Sequence, residues 1–215
     1  MPWRQSKEDT ITSKISSKDL TLGIFNCDGV VLPHPPILRG IQTVRTTLEK
    51  AGHNIVDWTP YKHEYAYNLI NSIYAGDGGA DIHGVLQESG EPAIPNINDL
   101  IRPDIKAVSI PELWEVQRQK WAYQCEYLTQ WRAMEEKLGK EMDAIICPIT
   151  PTAAIRHNQF KYYGYASVIN LLDFTSVVVP VTFADKAKDG KDAGFKALGD
   201  MDALVQGECE YCSSR

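Results

Sequence analysis

A short apolar run, a proline-opened helical stretch and a second short apolar run follow one another with little chain between them. Leu20–Phe25 reads as a strand, because a compact apolar run bounded by charged and turn-forming residues fits a buried strand. Asn26, Cys27, Asp28 and Gly29 supply turn chemistry, and Pro33, Pro35 and Pro36 stop any continuing element. Ile37, Ile41, Val44, Leu48 and Ala51 then recur at helical spacing, with Gly52 as the stop, before a second strand over Asn54–Trp58. Strand, helix and strand with short connections predict a layered α/β architecture.

The pattern continues downstream. A helix is predicted over His63–Tyr74, broken by Gly76, Asp77, Gly78 and Gly79, with a further helix over Ala80–Glu88 and an irregular stretch over Pro92–Pro103. In Asp77-Gly78-Gly79 the glycines are expected to serve a helix break that needs unusual backbone angles. Pro111 opens a long helix running to Met142. Its Trp114, Trp121, Cys125, Leu128 and Trp131 fall on one stripe that Tyr127, Met134 and Leu138 widen, and this stripe is expected to pack on a sheet. Asp143–Ile149 and Ser176–Phe183 read as buried strands, with a short helix over Ala166–Leu172 between them. Three segments result: a loose polar leader over 1–19, a folded region over 20–183, and a loose polar tail over 184–215.

Charge and cysteine content narrow the function. Lys and Arg number 22 against 28 Asp and Glu, for a net charge of −6, so neither nucleic acid nor an anionic membrane is an expected partner. The aromatic helix is therefore read as core and not as a base-stacking surface. No run approaches a membrane span, and the start lacks the apolar core of a signal peptide. Five cysteines, an odd number, suggest a reducing, cytoplasmic setting. Cys209 and Cys212 have the spacing of a redox pair but sit in the polar tail without further ligands, so they read as plain thiols. The histidines at 34, 53, 63, 83 and 157 lack metal-ligand spacing and are expected at the surface or at helix caps. Ser16-Ser17 and Ser213-Ser214 lie in polar terminal segments, and neither a Gly-x-Ser-x-Gly elbow nor a phosphate loop is present.

Several blocks, in order, resemble the C-terminal half of amidase signature enzymes of the acetamidase-like branch. They are Met1-Pro2-Trp3-Arg4; Leu20–Phe25 with Asp28-Gly29; His34-Pro35-Pro36-Ile37 through Gly52-His53; and Asp77-Gly78-Gly79 with Ser89–Pro92. Asp143–Pro148 with Pro151, and Asn170–Asp173 running into Val178–Val181, complete the set. The resemblance implies the C-terminal portion of an α/β/α sandwich, a partial mixed sheet flanked by helices. It implies hydrolysis of small carboxylic amides, with no metal or organic cofactor, by a Ser–cis-Ser–Lys triad. The triad's Gly- and Ser-rich signature matches nothing in this sequence, so no catalytic residue is assigned. The chain is expected to be a truncated amidase, inactive alone and prone to self-association. The rival is a non-catalytic binding or regulatory half-domain that pairs with a full-length amidase. By resemblance, Thr150, Pro151, Thr152 and Ala153 line a substrate pocket; by pattern alone they are a strand-to-loop exit. The closing Ala203–Cys209 is expected to depart from the family pattern.

Overall fold

A computed structural model describes residues 3–102, 104–190 and 194–209. Three parallel strands form the sheet: β1 (Thr21–Ile24), β2 (Asn54–Asp57) and β3 (Ala144–Ile146), in the order β2-β1-β3. The middle strand β1 is buried along its whole length, as expected of a strand covered on both faces. Gly23 is closely packed there: a Cβ would stand 3.0 Å from Met142 Sδ and 3.4 Å from Trp58 Cβ, so a side chain would need Met142 to shift.

The helices are α1 (Gln5–Ser16), α2 (Pro35–Ala51), α3 (His63–Tyr74), α4 (Ala80–Ser89), α5 (Pro95–Leu100), α6 (Ile110–Leu138), α7 (Gly164–Leu172) and α8 (Asp200–Gly207). The strand–helix–strand expectation in the first sixty residues holds, with α2 carrying Pro at its start and Gly52 in the left-handed cap position. The core joins Phe25, Val31, Trp58, Tyr123, Tyr127, Tyr162, Tyr165 and Leu171 across the sheet ends, α3, α6 and α7.

Several expectations are corrected. The leader contains α1, which buries no residue and is tied to the sheet by Lys14, whose ammonium lies 2.7 Å from Asp143. The stretch expected to be irregular contains α5. Helix α6 stops at Leu138, where Gly139 takes the left-handed cap, and a capping box between Ser109 and Glu112 starts it. Its core-facing stripe is also different. Tyr123 and Tyr127 are buried, with Val116, Trp131 and Met134 packed beside them, while Trp114 and Trp121 are 69% and 68% exposed. Both stripes have helical periodicity. The tyrosines are on the inside, where their hydroxyls find partners: Tyr123 donates to the Tyr61 carbonyl at 2.8 Å, and Tyr127 accepts from Trp58 Nε1 at 3.1 Å.

Ser176–Phe183 is not a buried strand. Val177 is 83% exposed and Phe183 92%, and the segment joins no ladder among the described residues. Its ends are held: Phe174 packs edge-on to Tyr127 and Trp131, and Arg39 donates to the Phe183 carbonyl at 2.7 Å while clamping Asp189 with two bonds. The run has the β-branched composition of a strand but takes no strand conformation here. The tail is also not wholly loose, because α8 docks with Asp202, Val205 and Gln206 buried.

The Asp77-Gly78-Gly79 break is a helix start. Asp77 accepts from the Gly79 and Asp81 amides at 2.7 and 2.9 Å, and these bonds hold its carboxyl below the usual carboxylate range. Gly78 and Gly79 have φ of 69° and 76°, and a Cβ on Gly79 would collide with Ile101. Gly79→Ala is therefore expected to lower stability by about 2 kcal/mol or more, read as a fall in the urea midpoint at constant slope.

Candidate functional site

In an open parallel sheet, ligands bind outside the carboxyl ends of the strands where the strand order reverses. Here the chain runs from β1 to β2 on one side, then returns to place β3 on the other. The reversal lies between β1 and β3. The loop leaving β1, residues 25–34, and the loop leaving β3, residues 147–156, meet there: the His34 amide donates to the Pro151 carbonyl at 2.7 Å.

The four residues expected to line a pocket are in the second of these loops. Pro151 and Thr152 are buried, Thr150 is half-buried and Ala153 is exposed. The Thr150 and Thr152 hydroxyls lie 3.3 Å apart. The loop thus places two neutral hydroxyls beside the sheet end.

The first loop is organised by Asp28. One carboxylate oxygen accepts from the Val30 and Val31 amides at 2.9 and 3.0 Å; the other accepts from the Tyr162 hydroxyl at 2.6 Å. Tyr165 accepts from the Asp28 amide and donates to the Val31 carbonyl at 2.7 Å. Burial pushes the Asp28 carboxyl up, and the hydroxyl and amide donors oppose it. Both oxygens accept from the turn and its neighbour, three of the four lone-pair sites being taken, so Asp28 positions the loop.

Helix α8 grips the same loop from the far end of the chain. Asp202 accepts from the Leu32 and Leu198 amides at 3.0 and 2.8 Å, and Gln206 donates to the Leu32 carbonyl at 2.5 Å. His34 is fully buried, with Nε2 3.1 Å from the Val205 carbonyl; since a carbonyl only accepts, Nε2 carries the proton. Arg156 in the β3 loop pairs with Glu208 at 2.6 Å. His34 occupies a helix cap as expected, but inside the protein. His63 is also inside, 3% exposed, at the first position of α3.

None of the reactive side chains near the strand ends is poised for attack. Burial pushes the Cys147 thiol up to about 11 and raises Cys27 as well, so both stay protonated at neutral pH. Burial pushes His63 down to about 4. Cys212 and Ser213-Ser214 lie outside the described residues. A groove of about 460 Å³ opens between α4 and α5, but every residue lining it lies within 81–97, so it takes nothing from these loops.

The sequence marked Asp28 and Thr150–Ala153, but not Tyr162, Tyr165, Asp202 or Gln206. Asp202 lies 170 residues from the Leu32 amide it accepts, and no local pattern announces such a contact.

Fold and strand-end geometry define the class: a parallel α/β layer protein whose β1 and β3 loops meet at its switch point. Residues 1–200 match the Amidase family. The acetamidase of Emericella nidulans is 64% identical over 208 residues, which is 97% of this chain and 38% of that protein. The acetamidase of Aspergillus oryzae is 55% identical over the same shares. A solved fatty acid amide hydrolase superposes with a TM-score of 0.77 at 26% identity, covering 97% of this chain and 36% of that one. The chain belongs to the amidase family. It spans 38% of the length of these acetamidases. Among the described residues, no helix is long and apolar enough to cross a membrane.

Proposed function

We propose that this chain is the part of a cytoplasmic amide hydrolase that builds one wall of the substrate crevice. The reaction is hydrolysis of a small carboxylic amide, acetamide being the first candidate from the relatives' names. The nucleophilic serine, its cis-serine and the lysine belong to the share of the acetamidase length that this sequence does not span. This chain supplies Thr150–Ala153 as lining and the Asp28-pinned loop opposite. The observation that carries the reading is the exposed Val177–Phe183 segment: a strand sequence, held at both ends, with its ladder partner missing from a chain that spans 38% of its relatives.

The test is ammonia release from acetamide and other small amides, with a fluorophosphonate probe for a reactive serine. The chain alone is expected to give no turnover and no serine labelling. Joined to the remaining portion of the Emericella nidulans acetamidase, it is expected to turn acetamide over. Turnover and a labelled serine from the chain alone would overturn the reading. Binding to the intact acetamidase without turnover in either format would favour a regulatory half-domain, for which the open valine segment is the natural contact.

A further inference from the structure

We propose that α8 is a strap that sets the separation of the two strand-end loops, with Asp202 and Gln206 as its positioning residues. Asp202, Val205 and Gln206 are buried on one face of the helix, while Leu204 is 54% exposed on the other. A helix that had only to stay docked would bury apolar side chains there. This one buries a carboxylate and an amide, which is costly unless both are bonded. Both are bonded, and to the same residue. The Leu32 amide donates to Asp202 at 3.0 Å, and the Leu32 carbonyl accepts from Gln206 at 2.5 Å. Side chains one turn apart on α8 thus hold the donor and the acceptor of a single residue in the loop leaving β1. The other Asp202 oxygen accepts from the Leu198 amide at 2.8 Å, which fixes the orientation of the carboxylate. Apolar burial tolerates a slide along the helix axis. A two-point hold on Leu32 does not, since a slip of one residue, about 1.5 Å, carries both bonds out of range.

The strap reaches both loops. On the β1 side the Val205 carbonyl also lies 3.1 Å from His34 Nε2. On the β3 side Glu208, which caps α8, accepts two bonds from Arg156, of 2.9 and 2.6 Å. The loops touch directly as well, through the His34 amide and the Pro151 carbonyl at 2.7 Å. Three bodies are therefore joined by three ties: β1 loop to β3 loop, β1 loop to α8, and α8 to β3 loop. A closed triangle holds its shape, whereas two ties would leave a hinge. Thr150 and Thr152 lie between the end of β3 and the Arg156 tie, so the stretch that carries the two hydroxyls is inside the triangle. What the strap does to an amide rests on the hydrolysis reading; the coupling of the loops through α8 does not.

Hydrogen exchange on this chain at neutral pH reads the coupling. Arg156→Ala, at an exposed position, cuts the tie on the β3 side alone. Gln206→Leu removes the donor to Leu32 and keeps the buried face filled. Arg156→Ala is expected to speed exchange about threefold or more across residues 25–34, and Gln206→Leu across residues 147–156, while α2 and β2 keep the wild-type rate. No acceleration, acceleration confined in either variant to the loop whose own tie was cut, or acceleration spread equally to α2 and β2 would each overturn the proposal. In the protein joined to the remaining portion of an acetamidase, Gln206→Leu is expected to raise KM for acetamide about fivefold with kcat within about twofold of wild type, because a loosened wall holds substrate and transition state equally less well. An equal fall of kcat and kcat/KM would place α8 in the catalytic geometry and overturn its role as a strap for the wall. A wild-type joined protein without turnover counts against the hydrolysis reading alone, and the exchange result then decides the strap.

Discussion

Asp28→Ala is expected to lower the unfolding free energy by about 3–5 kcal/mol, enough to consume much of the stability of a domain this size. The carboxylate is 4% exposed and serves three donors: the Val30 and Val31 amides and the Tyr162 hydroxyl. Alanine removes the acceptor and leaves those donors buried without one, which costs more than the bonds contribute while intact. Tyr162→Phe removes a single donor and leaves Asp28 its two amides, so about 1–2 kcal/mol is expected. The two changes share a bond, so the double variant should cost less than the sum, by roughly 1 kcal/mol or more in a double-mutant cycle. Urea midpoints of the four proteins at pH 7 provide the check. An Asp28→Ala protein within about 1 kcal/mol of wild type would mean that water reaches this turn and the carboxylate does not organise it. The same variant, joined to the missing share of an acetamidase, is expected to lose turnover in parallel with the loop's order.

What the sequence disclosed and what it hid divide along a physical line. Elements coded by nearby residues were legible: the β1–α2–β2 unit, announced by its prolines and Gly52, and the break at Asp77–Gly79, whose glycines adopt the positive φ expected of them. Contacts made across the chain were not. Two stripes of α6 carry aromatic residues at helical spacing, and only the fold decides that the tyrosines go inside and Trp114 and Trp121 outside. Ser176–Phe183 has the composition of a buried strand, yet a strand is buried only when its neighbours are present, and those lie in no described part of this chain. Of the strand-end loops, the one after β3 was legible because Pro148 and Pro151 end a strand. The grip of α8 on Leu32 and His34 was not, since a polar tail gives no sign that Asp202 and Gln206 will be buried.

His63 should make this fold acid-sensitive well above the carboxylate range. Its ring is 3% exposed, packed edge-on to Phe25 at 5.5 Å and tilted against Tyr127 at 6.3 Å, and neither ring nitrogen has a hydrogen-bond partner. Burial holds its pKa near 4 against 6.5 when unfolded. Between these values the unfolded chain binds a proton that the folded chain refuses, so stability rises with pH through this window and falls as acid is added. Above about pH 6.5 both states are neutral and the group imposes no slope. From there to about pH 4 the loss is about 3 kcal/mol, and below that it levels off, because the folded state then takes up its own proton. Carboxylates with lowered pKa, such as Asp77 and Asp189, add their losses as pH falls below their unfolded range, and Asp28, raised by burial, acts in the opposite sense, so the histidine's share is read as the difference between wild type and His63→Met. His63→Met, close in volume and without ring nitrogens, is expected to flatten the stability profile between about pH 6.5 and 5 and to match or exceed wild type at pH 7. Urea unfolding in half-unit steps of pH reads both effects. A wild-type profile parallel to that of His63→Met between about pH 6.5 and 5 would show that the ring gains a partner or solvent in solution and is not held neutral by its burial.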